Sequence, residues 1–308
     1  MCAMSSFQTK LVLGSLVTMM AGVAFQICSE TQAEAADPET ATIQFAAMVG
    51  GQPFACGQRY PNLGSAGTEV TPTDFRFYVS EVALIDAEGT IVPVSLEQDG
   101  IWQYESVALL DFEDKSGPCA NGTTETRDQV VGTVPAGDYQ GLQFTLGIPF
   151  ELNHEDATLA SSPLNLTSMW WNWQGGYKFV RIDLELPMEM DQPESQNHGD
   201  HSHVDHAYGA GGGFLIHLGS TGCGITPGNQ KPDRCSNRNA PLIRLDNFNL
   251  AQDVVIADLA ALVVDSDLSS NAPDTALGCM SGPEDGDCVG ILANLGLGSD
   301  TQTFFQVK

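Results

Sequence analysis

The stretch Lys178-Phe179-Val180-Arg181-Ile182-Asp183-Leu184-Glu185-Leu186 decides how this chain folds. Val180, Ile182, Leu184 and Leu186 occupy every second position, and Arg181, Asp183 and Glu185 fall between them. A period of two sends neighbouring side chains to opposite faces, so the pattern predicts a half-buried strand, apolar inside and charged outside. Working outward, strand signals recur in Thr42-Ile43-Gln44-Phe45, Phe75-Arg76-Phe77-Tyr78-Val79, Ile91-Val92-Pro93-Val94 and Leu142-Gln143-Phe144-Thr145-Leu146, each bounded by Gly, Pro or Asp. Asp86-Ala87-Glu88-Gly89 reads as a hairpin turn, and Pro135-Ala136-Gly137-Asp138-Tyr139 as a turn feeding the next strand. Helix is confined to short candidates at 258–264 and 290–295. The expected fold is all-β, mainly antiparallel and sandwich- or barrel-like, with long loops and short helical pieces.

Residues 1–35 read as a signal peptide, because Lys10 precedes an apolar run at 11–25 and Ala33-Glu34-Ala35 offers a small-x-small cleavage site. That run is short for a bilayer span, and no later stretch reaches the roughly 18 uncharged apolar residues a membrane helix needs. Residues 36–308 are therefore expected to form one β domain, without membrane insertion, in the periplasm, on the outer surface or secreted. Without the leader the chain keeps 37 acidic residues of 39 and 11 basic residues of 12, a net charge of −26. Such a surface repels nucleic acid and anionic lipid and attracts cations.

Of the eight cysteines, Cys56, Cys119, Cys223, Cys235, Cys279 and Cys288 lie beyond the leader. An even count in an oxidising compartment implies a disulfide framework. Short spacings pair Cys223 with Cys235 and Cys279 with Cys288, and Cys56 with Cys119 follows by elimination. No CxxC pair is present to begin a structural zinc site.

The histidines divide into two kinds. His198, His201, His203 and His206, interleaved with Asp200 and Asp205, sit in a polar and then glycine-rich surface loop at 189–213. Such a tract captures copper, zinc or nickel without sharp selection, or is simply solvated. His154 closes a predicted strand and His217 lies inside another, in ordered-looking sequence. Rigid strands can preset the imidazole geometry that copper needs, although a lone strand histidine is more often structural. Three of the four tryptophans, Trp170, Trp171 and Trp173, fall within four positions. Core packing is their default role, but alternation prevents one strand face from burying all three. The following Gly175-Gly176 allows a bulge or a close approach. Met169 and Met280 offer thioethers that pack or ligate. The acidic run Glu284-Asp285-Gly286-Asp287 is a candidate for calcium, although it lacks the EF-hand pattern.

Several of these segments together carry a resemblance. Pro149-Phe150-x-Leu152-Asn153-His154, Pro163-Leu164-Asn165, Trp171-x-Trp173-Gln174-x-Gly176-Tyr177-Lys178-Phe179 and His217-Leu218-Gly219-Ser220-Thr221-Gly222-Cys223 resemble the MbnP-like family, the metallo-mystery-pair four-Cys proteins. Asp74-Phe75-Arg76-Phe77-Tyr78-Val79, Leu109-Leu110-Asp111-Phe112-Glu113 and Cys279-Met280-Ser281 extend the likeness from about residue 42 toward the C-terminus. The four cysteines of the family name are then Cys56, Cys119, Cys223 and Cys235. The resemblance implies an exported copper-binding protein serving copper acquisition or homeostasis. It further implies that His154 and His217 are imidazole ligands and that Trp171 or Trp173 is oxidised to kynurenine by a partner, a di-haem cytochrome c peroxidase-like protein of the MbnH/MauG type. The ion is Cu(I) or Cu(II), which suits neutral imidazoles.

No HExxH and no G-x-S-x-G is present, so this chain is not expected to be an enzyme. Two other readings stand beside copper binding: a periplasmic zinc or copper chaperone that uses the histidine loop, and a structural envelope protein without metal.

Overall fold

In a computed structural model the described residues are 37–187, 212–298 and 301–308. The predicted leader and the four loop histidines, His198, His201, His203 and His206, lie outside them. The strands that build the architecture are β1 (Pro38–Val49), β2 (Thr68–Asp86), β3 (Val107–Asp111), β4 (Gln129–Pro135), β5 (Tyr139–Leu146), β6 (Val180–Glu185), β7 (Gly213–Leu218), β8 (Leu242–Asp246), β9 (Val254–Asp258) and β10 (Phe305–Val307). Among the described residues they form two large sheets. One runs β10–β9–β1–β4 and the other β7–β6–β2–β5–β8, with β3 also paired to β2. Pairing is antiparallel except between β1 and β9, which run parallel. The fold is thus an open β-sandwich and not a closed barrel.

The predicted turn at 135–139 hands the chain from one sheet to the other, since β4 and β5 belong to different sheets. The Asp86–Gly89 turn closes a hairpin, with Ile85 opposite Ile91 and Gly89 at φ 82°. Between the sheets lies an aromatic core. Phe45 of β1 meets Phe77 of β2 and Phe144 of β5 edge-on, with ring centroids 6.1 and 5.8 Å away. Phe305 of β10 lies 5.1 Å from Phe144 and 5.5 Å from Phe77. Edge-to-face pairs of this kind add dispersion and quadrupole attraction to the area they bury.

The far face of the β7–β6–β2–β5–β8 sheet, which counts nine strands with its short edge pieces, departs from the sequence expectation. β6 is not half-buried: its charged face is covered as well, with Arg181 8 % and Asp183 1 % exposed. Next to it, Asp74 and Arg76 of β2 are fully buried. The cause is the long connection between β5 and β6, which folds over this face and caps its polar groups. Tyr78 Oη donates to the Pro163 carbonyl at 2.9 Å, and Tyr177 Oη to that of Leu164 at 2.6 Å. Lys178 Nζ and Arg181 Nη1 both donate to the Ser168 carbonyl, at 3.0 and 2.8 Å. Buried charges persist only where such partners exist.

Two local expectations also change. His154 follows a short helix, Phe150–Asn153, and not a strand. Pro149 has the φ of −53° that its ring imposes, and its carbonyl accepts from Asn153 N at 3.0 Å, which closes the turn. The 258–264 segment is split, because β9 ends at Asp258 and that side chain accepts from Ala260 N at 3.0 Å, capping the helix Leu259–Leu262. The other helical candidate, at 290–295, forms as Cys288–Asn294. Among the described residues no helix is long and apolar enough to cross a membrane.

Candidate metal centre

β7 carries His217 directly opposite Arg181 of β6. Its Nε2 lies 2.7 Å from Asp183 Oδ1, and Asp183 Oδ2 accepts from Arg181 Nε and Nη2 at 2.9 and 2.7 Å. Arg181 Nε is also 3.1 Å from Asp74 Oδ2, and Asp74 is gripped by both Nε and Nη2 of Arg76. Burial alone would raise the Asp183 carboxyl, but the His217 hydrogen bond and the Arg181 charge override it and hold the group well below the usual carboxylate range. Burial pushes His217 below its ordinary value despite Asp183. Burial thus favours the neutral imidazole, and the hydrogen bonds favour the ionised carboxylate. Nε2–H donates to Asp183, and the lone pair resides on Nδ1, the arrangement in which a carboxylate orients a metal-binding histidine.

His154 is 4 % exposed and has different partners. Its Nδ1 faces the Trp173 carbonyl at 3.4 Å, and its Nε2 lies 3.4 Å from Asn153 Nδ2 and 3.6 Å from Cys235 Sγ. A carbonyl only accepts, so Nδ1 carries the proton and Nε2 the lone pair. Burial again lowers the imidazole below its ordinary value. The adjacent Asn153 ties this corner to the rest: its Nδ2 donates to Ser220 Oγ at 3.3 Å and its Oδ1 accepts from Tyr177 N at 2.9 Å. Gly176, at φ 79°, permits that approach, because a Cβ there would stand 2.5 Å from the Asn153 carbonyl oxygen.

The three tryptophans separate as alternation requires. Trp170 packs half-buried on the core, with Nε1 buried and unpartnered. Trp173 is 51 % exposed. Trp171 lines a cleft of about 420 Å³ together with Ser220, Cys223 and Met280. Its six-membered ring rests on Gly219, two residues beyond His217, where a Cβ would stand 2.4 Å from Cζ3. Met280 follows Cys279, whose carbonyl accepts from His217 N at 2.9 Å, and Ser281 Oγ donates to the His217 carbonyl at 2.8 Å. Ser220 of the cleft wall accepts from Asn153, next to His154, and Met280 stands beside Ser281, which donates to the His217 carbonyl, while neither imidazole lines the cleft itself.

Among the described residues the disulfides are Cys223–Cys235 and Cys279–Cys288, the pairs the spacings suggested, and Cys56–Cys119, the pair reached by elimination. In the acidic run, Asp285 Oδ1 accepts from Asp287 N at 3.0 Å and Asp287 Oδ2 from Ala272 N at 2.8 Å, so these carboxylates hold a turn ahead of the helix Cys288–Asn294. Sequence reasoning missed Asp183, Asn153 and Gly219. Asp183 stood in plain view within the decisive strand but read as solvent-facing, and a lone Asn or Gly carries no signal of what it touches.

A family model described as MbnP matches residues 38–281. Among solved structures, MbnP from Methylosinus trichosporium is similar, with 28 % sequence identity and a TM-score of 0.71, covering 88 % of this chain and 98 % of that one. No curated protein matches the chain.

Proposed function

We propose that this chain, which belongs to the MbnP family, binds one copper ion outside the cytoplasm in the service of copper acquisition or homeostasis. The observation that carries the reading is a cleft lined by an indole and a thioether, with two oriented imidazoles tied by hydrogen bonds to residues in or beside its wall. Trp171 and Met280 line the cleft. His217 attaches through Gly219 and Ser281, and His154 through Asn153 and Ser220. In their neutral forms, which burial favours, Nδ1 of His217 and Nε2 of His154 each keep a lone pair, the state that ligates. Nitrogen and thioether donors suit copper better than hard cations. Imidazole and thioether are the donors this chain supplies directly.

Of the two tryptophans in the motif, we assign Trp171 as the one oxidised to kynurenine. It is wedged against Gly219 in the cleft, whereas Trp173 points half its surface to solvent. Oxidation replaces an indole, a poor ligand, by an aryl amine and a ketone. The di-haem cytochrome partner performs that step, so this chain is its substrate and no enzyme itself. The predicted leader and the three disulfides support export.

The test is intact-mass and peptide mass spectrometry with metal analysis on protein made with and without such a cytochrome. We expect one tightly held copper per chain only where the peptide containing Trp171 gains mass. Tight copper retention by the His154→Ala/His217→Ala double variant would overturn the site. Gly219→Ala, whose Cβ collides with the indole, is expected to lose copper while the remote disulfide Cys56–Cys119 stays formed.

A further inference from the structure

A second feature of the same corner is not used by that reading. The Cys223–Cys235 disulfide joins directly opposed residues of the hairpin Thr221–Gly224 and Arg234–Asn237. A ring nitrogen of His154 and the two sulfurs all lie within 4.8 Å of one another. The Trp173 carbonyl puts the proton on Nδ1, so the nitrogen 3.6 Å from Cys235 Sγ is the one with the lone pair. An intact disulfide is a weak ligand, but two thiolates beside a neutral imidazole are a soft donor set of the kind that selects Cu(I).

Accessibility and geometry separate this disulfide from the other two. Cys223 lines the open cleft, and both cysteines of this pair are half-exposed, whereas Cys279 and Cys288 are buried and Cys56, itself half-exposed, is bonded to a Cys119 that is 1 % exposed beside the hard carboxylate of Glu113. The hairpin is also held in place without the sulfur bond. Thr221 opposes Asn237, whose Nδ2 donates to Thr221 Oγ1 at 3.1 Å. Gln174 Nε2 donates to the Cys223 carbonyl at 3.1 Å, and Lys231 pairs with Glu155, the residue after His154, at 2.5 Å. Arg238 lies over the Phe150 ring at 5.2 Å. Breaking the bond leaves the thiols facing the imidazole.

We propose that Cys223–Cys235 is a redox-gated part of the copper centre, and that its reduced form, with His154, is a Cys2His site for Cu(I). This rests on the copper reading above in sharing His154 and the cleft. A dithiol reductant donates two electrons and two protons: its own disulfide forms, the Cys223–Cys235 bond breaks, and two thiols result. Cu(I) then displaces both thiol protons and binds two thiolates and Nε2, so copper capture releases two protons per ion.

The experiment uses the full mature protein, without air, after mild reduction by a dithiol, with peptide mapping to establish that Cys223 and Cys235 are reduced while the other two pairs remain bonded. Cu(I) is titrated against a chromophoric chelator, and copper X-ray absorption counts sulfur neighbours. Reduced protein is expected to bind Cu(I) at least tenfold tighter than oxidised protein, with two sulfur neighbours added. The Cys223→Ser/Cys235→Ser variant, checked for native circular dichroism, should lose the gain, and His154→Ala should weaken reduced-state binding. Equal affinity in reduced wild-type and the double serine variant overturns the proposal. Copper binding by the oxidised protein reads the earlier proposal separately, since no thiol exists there.

Discussion

The two faces of the nine-stranded sheet are built on opposite physical terms, although β2 supplies both from one alternating run. Phe75, Phe77 and Val79 point into the aromatic core between the sheets, and Asp74, Arg76 and Tyr78 into a polar layer under the 147–179 connection. Both faces are dry. The aromatic face is stabilised by area and shape, which tolerate small rearrangements. The polar face depends on each charge having its partner in place, because removing one leaves another stranded at low dielectric. The candidate metal centre grows from the second face: Asp183, held by Arg181 and indirectly by Arg76, orients His217. A ligand must be aimed to a fraction of an ångström, and hydrogen-bonded charges aim more sharply than packed rings.

Breaking the polar face should do the most damage. Arg76→Ala takes both of its hydrogen bonds from buried Asp74, leaving only the Arg181 contact, and is expected to cost about 3–5 kcal/mol in urea unfolding. A cost below that of an ordinary surface change would contradict the comparison. Next comes a pH effect at Asp111, opposite Arg76 in the ladder, whose carboxyl is pushed up to about 7 by burial against the opposing pull of Arg76. Its unfolded-state value is about 3.9, so the folded state holds this proton more tightly. The stability it contributes is full below about pH 4 and is lost as pH rises through about 7, on the order of a few kcal/mol. Asp111→Asn should remove that slope, seen as wild-type and variant unfolding curves that diverge with rising pH.

Asp183→Asn sharpens the link between the polar face and the centre. It removes the charge that fixes the His217 tautomer and is expected to weaken copper binding roughly 10–100-fold in chelator competition. Unchanged affinity would separate His217 from the site. The smallest effect belongs to the aromatic face. Phe77→Leu keeps an apolar side chain of similar bulk and should cost less than about 1.5 kcal/mol, with copper affinity unchanged.

Much of this molecule was legible in one dimension. The period of two in 180–186 and 75–79 located central strands, and the cysteine spacings located two disulfides and left Cys56–Cys119 by elimination. The helix before His154 was not legible, because Phe150–Asn153 is one turn whose apolar and polar residues fit either period. The centre was legible as a set of residue types and illegible as an arrangement. Trp171 and Trp173 looked alike until Gly219, 48 positions from Trp171, was seen to hold one indole and not the other.

By itself the sequence determined the β class, the strand centres, the two short-range disulfides and the residues to watch, since those follow from periodicity and spacing between near neighbours. Only the tertiary structure decided that the charged side of Val180–Glu185 is buried, that Asp183 meets His217, and that His154 faces the Cys223–Cys235 bond. Those contacts join positions up to 81 residues apart. Alternation says which face a side chain leaves from, and what covers that face is set by a different part of the chain.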